Sequence, residues 1–289
     1  MKEKLVIALV ILSLILISGC SKPASNTIKI GGSSDLEPLM KVWASEYQKT
    51  HKDVKITVSA SDDEKGIDDV LKGSISIGLL GRDATPDEVG KGIFYIPVTA
   101  DAIFPIANFK NTFNVAGSKE MFQALWVNGT PIVWPNNKTV VVYTRSDSSG
   151  AADSWARYLD SSASNLKGSK VYGDKGIVES IKRDVNGVGY AGLETIFNSD
   201  GQLVDGVRVV PIIMDNQLLR IGNRSSALLS IQLGLYPVAR VLYLNTKGSF
   251  SNASKDFVNW ILTDGQQYVI NSGYIGLSAK DLETIKSKI

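Results

Sequence analysis

The residues best suited to chemistry lie in one polar run, Arg-Ser-Asp-Ser-Ser-Gly-Ala, at positions 145–151. The run follows a β-branched stretch, 139–143, that is typical of a buried strand. After it, Ala152, Trp155 and Leu159 recur at the spacing of one helix face. The first N–H groups of a helix lack intrahelical partners, so together with the helix dipole they favour a small anion. We therefore expect a strand, a tight turn and a helix whose start can bind an oxyanion.

Several residue types within this run suit an anion. Arg145 can offer a two-pronged guanidinium grip, and Asp147 is placed to hold that guanidinium. Ser148 and Ser149 are natural N-cap residues, and Gly150 lets the backbone approach a ligand closely. The alternative is an ordinary capped helix with a surface Arg–Asp pair, because strand–turn–helix units are common and Ser-Gly alone is a weak motif.

The same run resembles the Arg-x-Asp-x-Ser-Gly-Thr motif of phosphate ABC transporter substrate-binding proteins. The resemblance implies that Arg145, Ser149 and Gly150 contact the ligand. It also implies that Asp147 orients the arginine. Ala151 stands where the family has Thr, so the backbone N–H remains as a ligand contact and one hydroxyl donor is lost.

A second turn of the same kind follows the short strand predicted at 27–31. It resembles the family's opening Gly-Ser-Thr-Thr turn, with Ser34 and Asp35 at the two Thr positions. The resemblance implies that this turn also contacts the ligand. We further expect Ser33 or Ser34 to cap the helix that follows.

A third candidate loop follows the apolar strand predicted at 75–80. The resemblance implies that a carboxylate in this loop accepts the proton of bound phosphate, and Asp83 is the candidate. The alternative is a surface ion pair between Arg82 and Asp83 on a turn.

The acidic run Asp62-Asp63-Glu64 departs from the family, which has a glycine- and serine-rich loop at this point. We expect these acids to turn outward as a solvated helix start, where negative charge suits the dipole. If they faced the site, they would repel an anion.

Further matches follow in order along the chain, at 186–191, 236–243 and 273–277. We expect Arg240, in the second of them, to make a structural salt bridge rather than a ligand contact. The resemblance and the alternation of strands and helices predict an α/β, two-lobed periplasmic-binding-protein-like fold (type II) with the ligand cleft between lobes joined by two crossing strands. The predicted ranges are 27–102 and 238–289 for lobe 1, and 103–237 for lobe 2.

The N-terminus is typical of a lipoprotein. A charged start precedes the apolar run 5–17, and Ile17-Ser18-Gly19-Cys20 resembles a lipobox that ends at the chain's single cysteine. We expect a signal peptide at 1–20, lipid on Cys20, and a short linker at 21–26. The alternative is an uncleaved anchor helix, although the run is short for a span of about 20 residues.

Composition narrows the possible functions. Lys and Arg number 31 against 29 Asp and Glu, so nothing in the charge points to nucleic acid. A single histidine, His51, argues against a histidine metal site and a Ser-His-Asp triad. Together with the family resemblance, these counts lead us to expect no enzyme, no cofactor and no metal.

The resemblance predicts a lipoprotein on the extracytoplasmic side of the cell membrane. It would capture inorganic phosphate by hinge closure and deliver it to an ABC transporter permease. Three alternatives remain: a binder of sulfate, molybdate or tungstate, a surface sensor of the same fold, and a hydrolase that uses Ser149. The hydrolase is the least favoured, because no base is placed for that serine.

Overall fold

The computed structural model describes residues 26–111, 116–133 and 137–289. The predicted signal peptide, the predicted lipidation site Cys20 and linker residues 21–25 lie outside the described residues. Within the described ranges, no helix is both long enough and apolar enough to cross a membrane.

The strands are short except for two, which connect the halves of the molecule. In chain order the strands are β1 (Thr27–Ser33), β2 (Lys55–Ser61), β3 (Ile77–Leu80), β4 (Ile93–Asn108), β5 (Val141–Arg145), β6 (Ser169–Val171), β7 (Gly187–Gly192), β8 (Val207–Val209), β9 (Ile212–Met214), β10 (Gln217–Leu219) and β11 (Ala239–Lys247).

Most helices follow a strand, as expected of an α/β chain. In order they are α1 (Glu37–Thr50), α2 (Asp63–Leu71), α3 (Pro86–Gly90), α4 (Lys119–Gln123), α5 (Gly150–Tyr158), α6 (Gly173–Arg183), α7 (Leu193–Ile196), α8 (Arg224–Gln232), α9 (Asn252–Ile261) and α10 (Ala279–Lys286). Helix α4 continues into a π-helical turn, Ala124–Asn128, and two 3₁₀ turns span Ala163–Asn165 and Asp264–Tyr268.

The strand order joins two groups of parallel strands through two crossing strands. Over the described residues one nine-stranded sheet runs β2-β1-β3-β11-β4-β7-β5-β6, with β8 paired to β4. Strand β1 pairs in parallel with β2 and β3, and β5 pairs in parallel with β6 and β7. Strands β4 and β11 pair antiparallel with each other and link the two groups.

Among the described residues, two large hydrophobic cores lie on either side of these crossing strands, and a smaller cluster packs Ile67, Val70 and Leu80 together. The first draws on residues 28–98 and 242–285, and the second on residues 102–238. We call the elements around the first core lobe 1 and those around the second lobe 2. Each core buries large aromatic side chains, which contribute roughly 1.5–3 kcal/mol apiece when fully buried.

The start of α5 is held in place by aromatic packing in the second core. Trp155 on α5 is fully buried, and its ring centroid lies 5.2 Å from that of Trp126 and 5.6 Å from that of Tyr190. The Tyr190 hydroxyl also accepts the N–H of Arg145 at 3.2 Å. The strand end and the helix start therefore share one rigid support.

Candidate functional site

The candidate site lies where three turns meet between the lobes. Ser34 and Asp35 follow β1, Gly81 follows β3, and Arg145 is the last residue of β5. Because the carboxyl ends of parallel strands meet at one edge of a sheet, the turns after β1 and β3 lie together in lobe 1. The turn after β5 faces them from lobe 2.

Arg145 is the centre of this site and is only 3% exposed. Its Nε donates to Asp147 at 2.8 Å, and a second ion pair joins the guanidinium to the same carboxylate. Nη1 pairs with Asp174 and donates across the cleft to Asp35 at 3.2 Å, while Nη2 donates to the Ser34 hydroxyl at 3.2 Å. Burial alone would lower the pKa of Arg145, but the surrounding carboxylates raise it well above its usual value. The guanidinium therefore stays charged.

Arg240 on β11 forms a second buried centre. Its Nη1 donates to Asp35 at 2.8 Å and its Nη2 donates to Asp101 at 3.0 Å. This is the structural salt bridge expected at this position, since both partners are buried carboxylates. Burial would raise the pKa of Asp35, but Arg240 and Arg145 together hold that pKa well below its usual range. Asp35 is thus an ionised bridge between the two arginines.

Asp63 faces the site, which corrects the expectation that the acidic run turns outward. Its side chain is fully buried. Oδ1 accepts the N–H of Gly81 at 2.7 Å, and Oδ2 accepts the N–H of Gly150 at 2.8 Å across the cleft. Burial, and then the charge of Asp35, raise the pKa of Asp63 to about 6.

The phase of α2 explains why the three acids separate. Asp62 is the N-cap residue, and its carboxylate accepts the N–H of Lys65 at 2.7 Å. Asp63 is then the first helical residue and shares the buried face with Gly66. Glu64 is exposed but lines a cavity that Arg145 also lines, so the expectation of a solvated helix start holds for Glu64 and fails for the buried Asp63.

Gly150 is the point where the backbones of the two lobes touch. A Cβ built on Gly150 would overlap the carbonyl oxygen of Gly81. Any other residue at this position would force the lobes apart, so glycine is required for the conformation seen here.

Ser149 caps α5, as predicted, because its Oγ accepts the N–H of Ala151 at 3.1 Å. The same hydroxyl donates to Asp35 at 3.4 Å across the cleft. By contrast, the predicted serine cap of α1 is wrong: that helix begins at Glu37, and no side chain caps it. At the start of α5, the N–H groups of Gly150 and Ala151 therefore both have hydrogen-bond partners within the protein.

Asp83 lies apart from this cluster. It is exposed, and its carboxylate accepts the hydroxyl of Tyr243 at 2.6 Å. The alternative, an ion pair between Arg82 and Asp83, is not formed, since Arg82 makes a two-pronged pair with Glu88 at 2.8 and 2.9 Å. Glu88 is fixed there by the capping box that it forms with Thr85 at the start of α3.

Three further carboxyl groups belong to the site and were not among the predicted residues. Asp174, near the start of α6, pairs with Arg145 and accepts the N–H of Gly192 at 2.6 Å. Asp101, on β4, pairs with Arg240 and accepts the N–H of Leu193 at 3.1 Å. Glu194 lies close by on α7, and burial raises its pKa to about 8. An acid inside an apolar strand is a readable signal for Asp101, whereas Asp174 resembles any acid in the first turn of a helix.

Carboxyl groups outnumber guanidinium groups in this cluster. The two arginines face the carboxyl groups of Asp35, Asp63, Asp101, Asp147 and Asp174. Burial raises the pKa of Asp101 to about 6, as it does for Asp63, and it also raises the pKa of Asp174. These carboxyl groups therefore bind protons more readily than exposed aspartates do. Within the described chain, no group of acids, His and Cys is arranged to hold a metal ion.

Two cavities lie beside the cluster of charged groups around Arg145. One, of about 230 Å³, is lined by Ser34, Asp35 and Asp174. The other, of about 410 Å³, is lined by Arg145 itself and by Ser149.

Two α/β lobes, two crossing strands and a buried charged cleft between them define the class of two-lobed solute-binding proteins. The chain belongs to the family described as the PBP superfamily domain, whose model matches residues 20–265. The predicted two-lobed fold is thereby confirmed.

Individual relatives are similar over nearly the whole chain. The phosphate-binding protein PstS of Staphylococcus saprophyticus is 24% identical over 278 residues, which cover 91% of this chain and 84% of the relative. Protein SphX of Synechococcus elongatus is 26% identical over 271 residues, or 86% and 77% of the two chains. A Clostridium perfringens substrate-binding protein assigned to phosphate ABC transport, solved with bound phosphate, superimposes with a TM-score of 0.75 at 21% identity, over 87% of this chain and 100% of that one. The resemblance noted in the sequence is confirmed.

Proposed function

We propose that this chain captures inorganic phosphate outside the cytoplasm and delivers it to the permease of an ABC importer. The observation that carries the proposal is the buried Arg145 guanidinium beside the start of α5, between two lobes. The similarity to phosphate-binding proteins over most of the chain supports the identity of the ligand.

The proposed binding residues are those that meet between the lobes. They are Ser34, Asp35, Arg145, Asp147, Ser149, Gly150 and Ala151. We leave Asp83 out of the proposed set, because its carboxylate bonds to Tyr243 at the surface. The proposed lobe ranges are 27–102 with 238–289, and 103–237. The lobes would move about β4 and β11, and ligand would shift an open–closed equilibrium toward a form that the permease recognises.

The carboxylates of the site favour phosphate over sulfate. Near neutral pH phosphate keeps at least one proton, which an ionised carboxylate such as Asp35 can accept. Sulfate offers only lone pairs to that carboxylate, and such like-charge contact costs several kcal/mol. We therefore expect phosphate to bind at least ~1000-fold more tightly than sulfate, which is about 4 kcal/mol.

Calorimetry of the purified full-length protein tests this selectivity with phosphate, arsenate, sulfate, molybdate and tungstate. Arsenate should compete with phosphate, because it keeps a proton and has a similar shape. Tight binding of sulfate, molybdate or tungstate would replace phosphate by that ion, while the two-lobed anion binder would stand. If no oxyanion binds, the phosphate proposal fails, and a surface sensor of the same fold becomes the favoured function.

The proposed location is the outer face of the cell membrane, with lipid on Cys20 as the anchor. The proposal rests on the lipobox-like run at 17–20 and on the absence of any other cysteine from the sequence. A Cys20→Ser variant should leave the membrane fraction or retain residues 1–19. Unchanged fractionation together with an unchanged mature mass would exclude the anchor.

A further inference from the structure

The proposed phosphate site leaves the Asp63 carboxylate unexplained. Asp63 belongs to α2 of lobe 1, yet its Oδ2 accepts the N–H of Gly150 at the start of α5 in lobe 2, at 2.8 Å. Its Oδ1 accepts the N–H of Gly81, in its own lobe, at 2.7 Å. One fully buried carboxylate therefore joins two backbone donors that lie on opposite walls of the cleft.

A carboxylate in this position is chemically equivalent to a small oxyanion. Both present negative oxygen atoms as hydrogen-bond acceptors, and a helix start binds either of them through its N–H groups and its dipole. Each N–H carries one hydrogen. The bond between Gly150 and Asp63 therefore occupies a donor that a phosphate ion in the cleft would use.

The loop that carries Asp63 is tied to lobe 2 at two further points. The Asp63 backbone N–H donates to the carbonyl of Ser148 at 3.3 Å. The Tyr172 hydroxyl donates to the carbonyl of Ser61 at 3.2 Å. These contacts make residues 61–63 a bridge across the cleft, with the carboxylate at its buried end.

We propose that Asp63 is an intramolecular ligand of the anion site: its carboxylate binds the N–H groups of Gly81 and Gly150, holds the lobes together and must leave before phosphate binds. The identity of the competing ion rests on the proposed phosphate function. The contact between the lobes does not, so the two ideas can fail separately.

Two measurements on the full-length protein test the proposal. The first is hydrogen–deuterium exchange, read by mass spectrometry on peptides that contain Gly81 and Gly150. The second is equilibrium dialysis with radiolabelled phosphate at pH 7. The variants are Asp63→Ser, which removes the carboxylate, and Asp63→Asn, which keeps the shape and only one acceptor oxygen. Asp68→Asn is the matched control, because it removes a carboxylate of the same helix that pairs with Lys72 at the surface, away from the cleft.

In phosphate-free buffer the wild-type peptides should be protected, and those of Asp63→Ser should exchange at least ~10-fold faster, because a lost bridge of about 1.4 kcal/mol is a tenfold change in opening. Asp63→Ser should bind phosphate at least ~10-fold more tightly than the wild type on the same scale. Asp63→Asn should fall between the two, and Asp68→Asn should match the wild type in both measurements.

Three results would overturn the proposal. One is wild-type exchange at Gly150 as fast as in exposed loops, which can be read even if the variants fold poorly. Another is equal protection in wild type and Asp63→Ser. The third is weaker phosphate binding by Asp63→Ser, which would make Asp63 a direct contact of the bound ion. If neither protein binds phosphate but the exchange difference is present, the phosphate function fails and the intramolecular ligand stands.

Discussion

The two walls of the cleft differ in the kind of group that they present. The wall from lobe 2 offers donors: the Arg145 guanidinium and the N–H of Gly150. The wall from lobe 1 presents the carboxylates of Asp35 and Asp63. It also carries a second arginine, Arg240, which pairs with Asp35 and Asp101 of the same lobe. Arg145 and Gly150 of lobe 2 therefore each donate to a carboxylate of lobe 1, namely Asp35 and Asp63.

The two lobes therefore contact each other through the same kinds of group that bind an anion: N–H donors on one side and carboxylates on the other. Asp35 and Asp63 use the donors that suit an external oxyanion. Buried ion pairs contribute little net stability compared with apolar packing, yet removing one partner is costly. The complementarity of the walls therefore sets which conformations are accessible more than it sets overall stability.

The largest effect is expected from removing the donor wall with Arg145→Ala. An open, solvent-lined cleft would predict little change in stability. The buried contacts predict otherwise: Asp35, Asp147 and Asp174 would lose their common partner, and breaking a buried pair costs about 3–5 kcal/mol. Phosphate affinity should also fall at least ~100-fold, because charge-assisted hydrogen bonds of about 1.5–3 kcal/mol each are lost.

Urea unfolding and calorimetry measure these two effects. Arg183→Ala is the matched control, since that side chain is largely exposed and its nearest carboxylate, Glu179, lies 4.0 Å away. Near-normal phosphate binding by Arg145→Ala, in a protein shown to be folded, would exclude the assigned cleft. Unfolding like that of the control would mean that the buried pairs are not formed in solution.

A smaller effect is expected from titrating the carboxylate wall. The pKa of Asp63 is raised from 3.8 to about 6, so the folded state binds a proton that the unfolded chain has released. Stability should therefore be highest toward pH 4 and fall as pH rises to about 6, by no more than about 3 kcal/mol. Asp101, whose pKa is also raised to about 6, adds in the same direction.

Thermal melts between pH 4.5 and 7.5, a range chosen to span about 1.5 units on either side of the raised pKa, measure this slope. The charged groups that face Asp63 are Asp35, Arg82 and Arg240, and the two arginines oppose the rise of its pKa. Asp63→Asn should make the slope smaller without removing it, because Asp101 still contributes. Asp83→Asn should leave it unchanged, because that carboxylate is exposed at the surface. Equal slopes in both variants would place the Asp63 carboxyl in solvent.

The local design of the anion turn could be predicted from sequence. The apolar run before Arg145 gives β5, the Ser149 cap starts α5 at Gly150, and Trp155 falls on the buried face. These features depend on neighbours within one or two turns. The overall two-lobed fold followed from the order of such units together with the family resemblance.

The charge partners could not be predicted, because tertiary packing supplies them. Two adjacent aspartates, Asp62 and Asp63, can each cap a helix, and a shift of one residue decides which of them points inward. Asp174 reaches Arg145 only because α6 starts beside the end of β5. Asp83 lies in a loop after a strand, as Asp35 and Asp147 do. The capping box of α3 places Glu88 next to Arg82, so Arg82 pairs with Glu88 and Asp83 stays on the surface.

The contact between Gly81 and Gly150 also limits where a bound ion can lie between the lobes. Their backbones touch so closely that not even a methyl group fits between them, let alone a tetrahedral ion. Yet the Asp63 carboxylate already places one oxygen atom on each of the two N–H groups without separating these backbones. Under the proposal, a small oxyanion that replaced Asp63 would bind both donors from the same side of this contact, so the Asp63 side chain, rather than the glycine backbones, is what has to move.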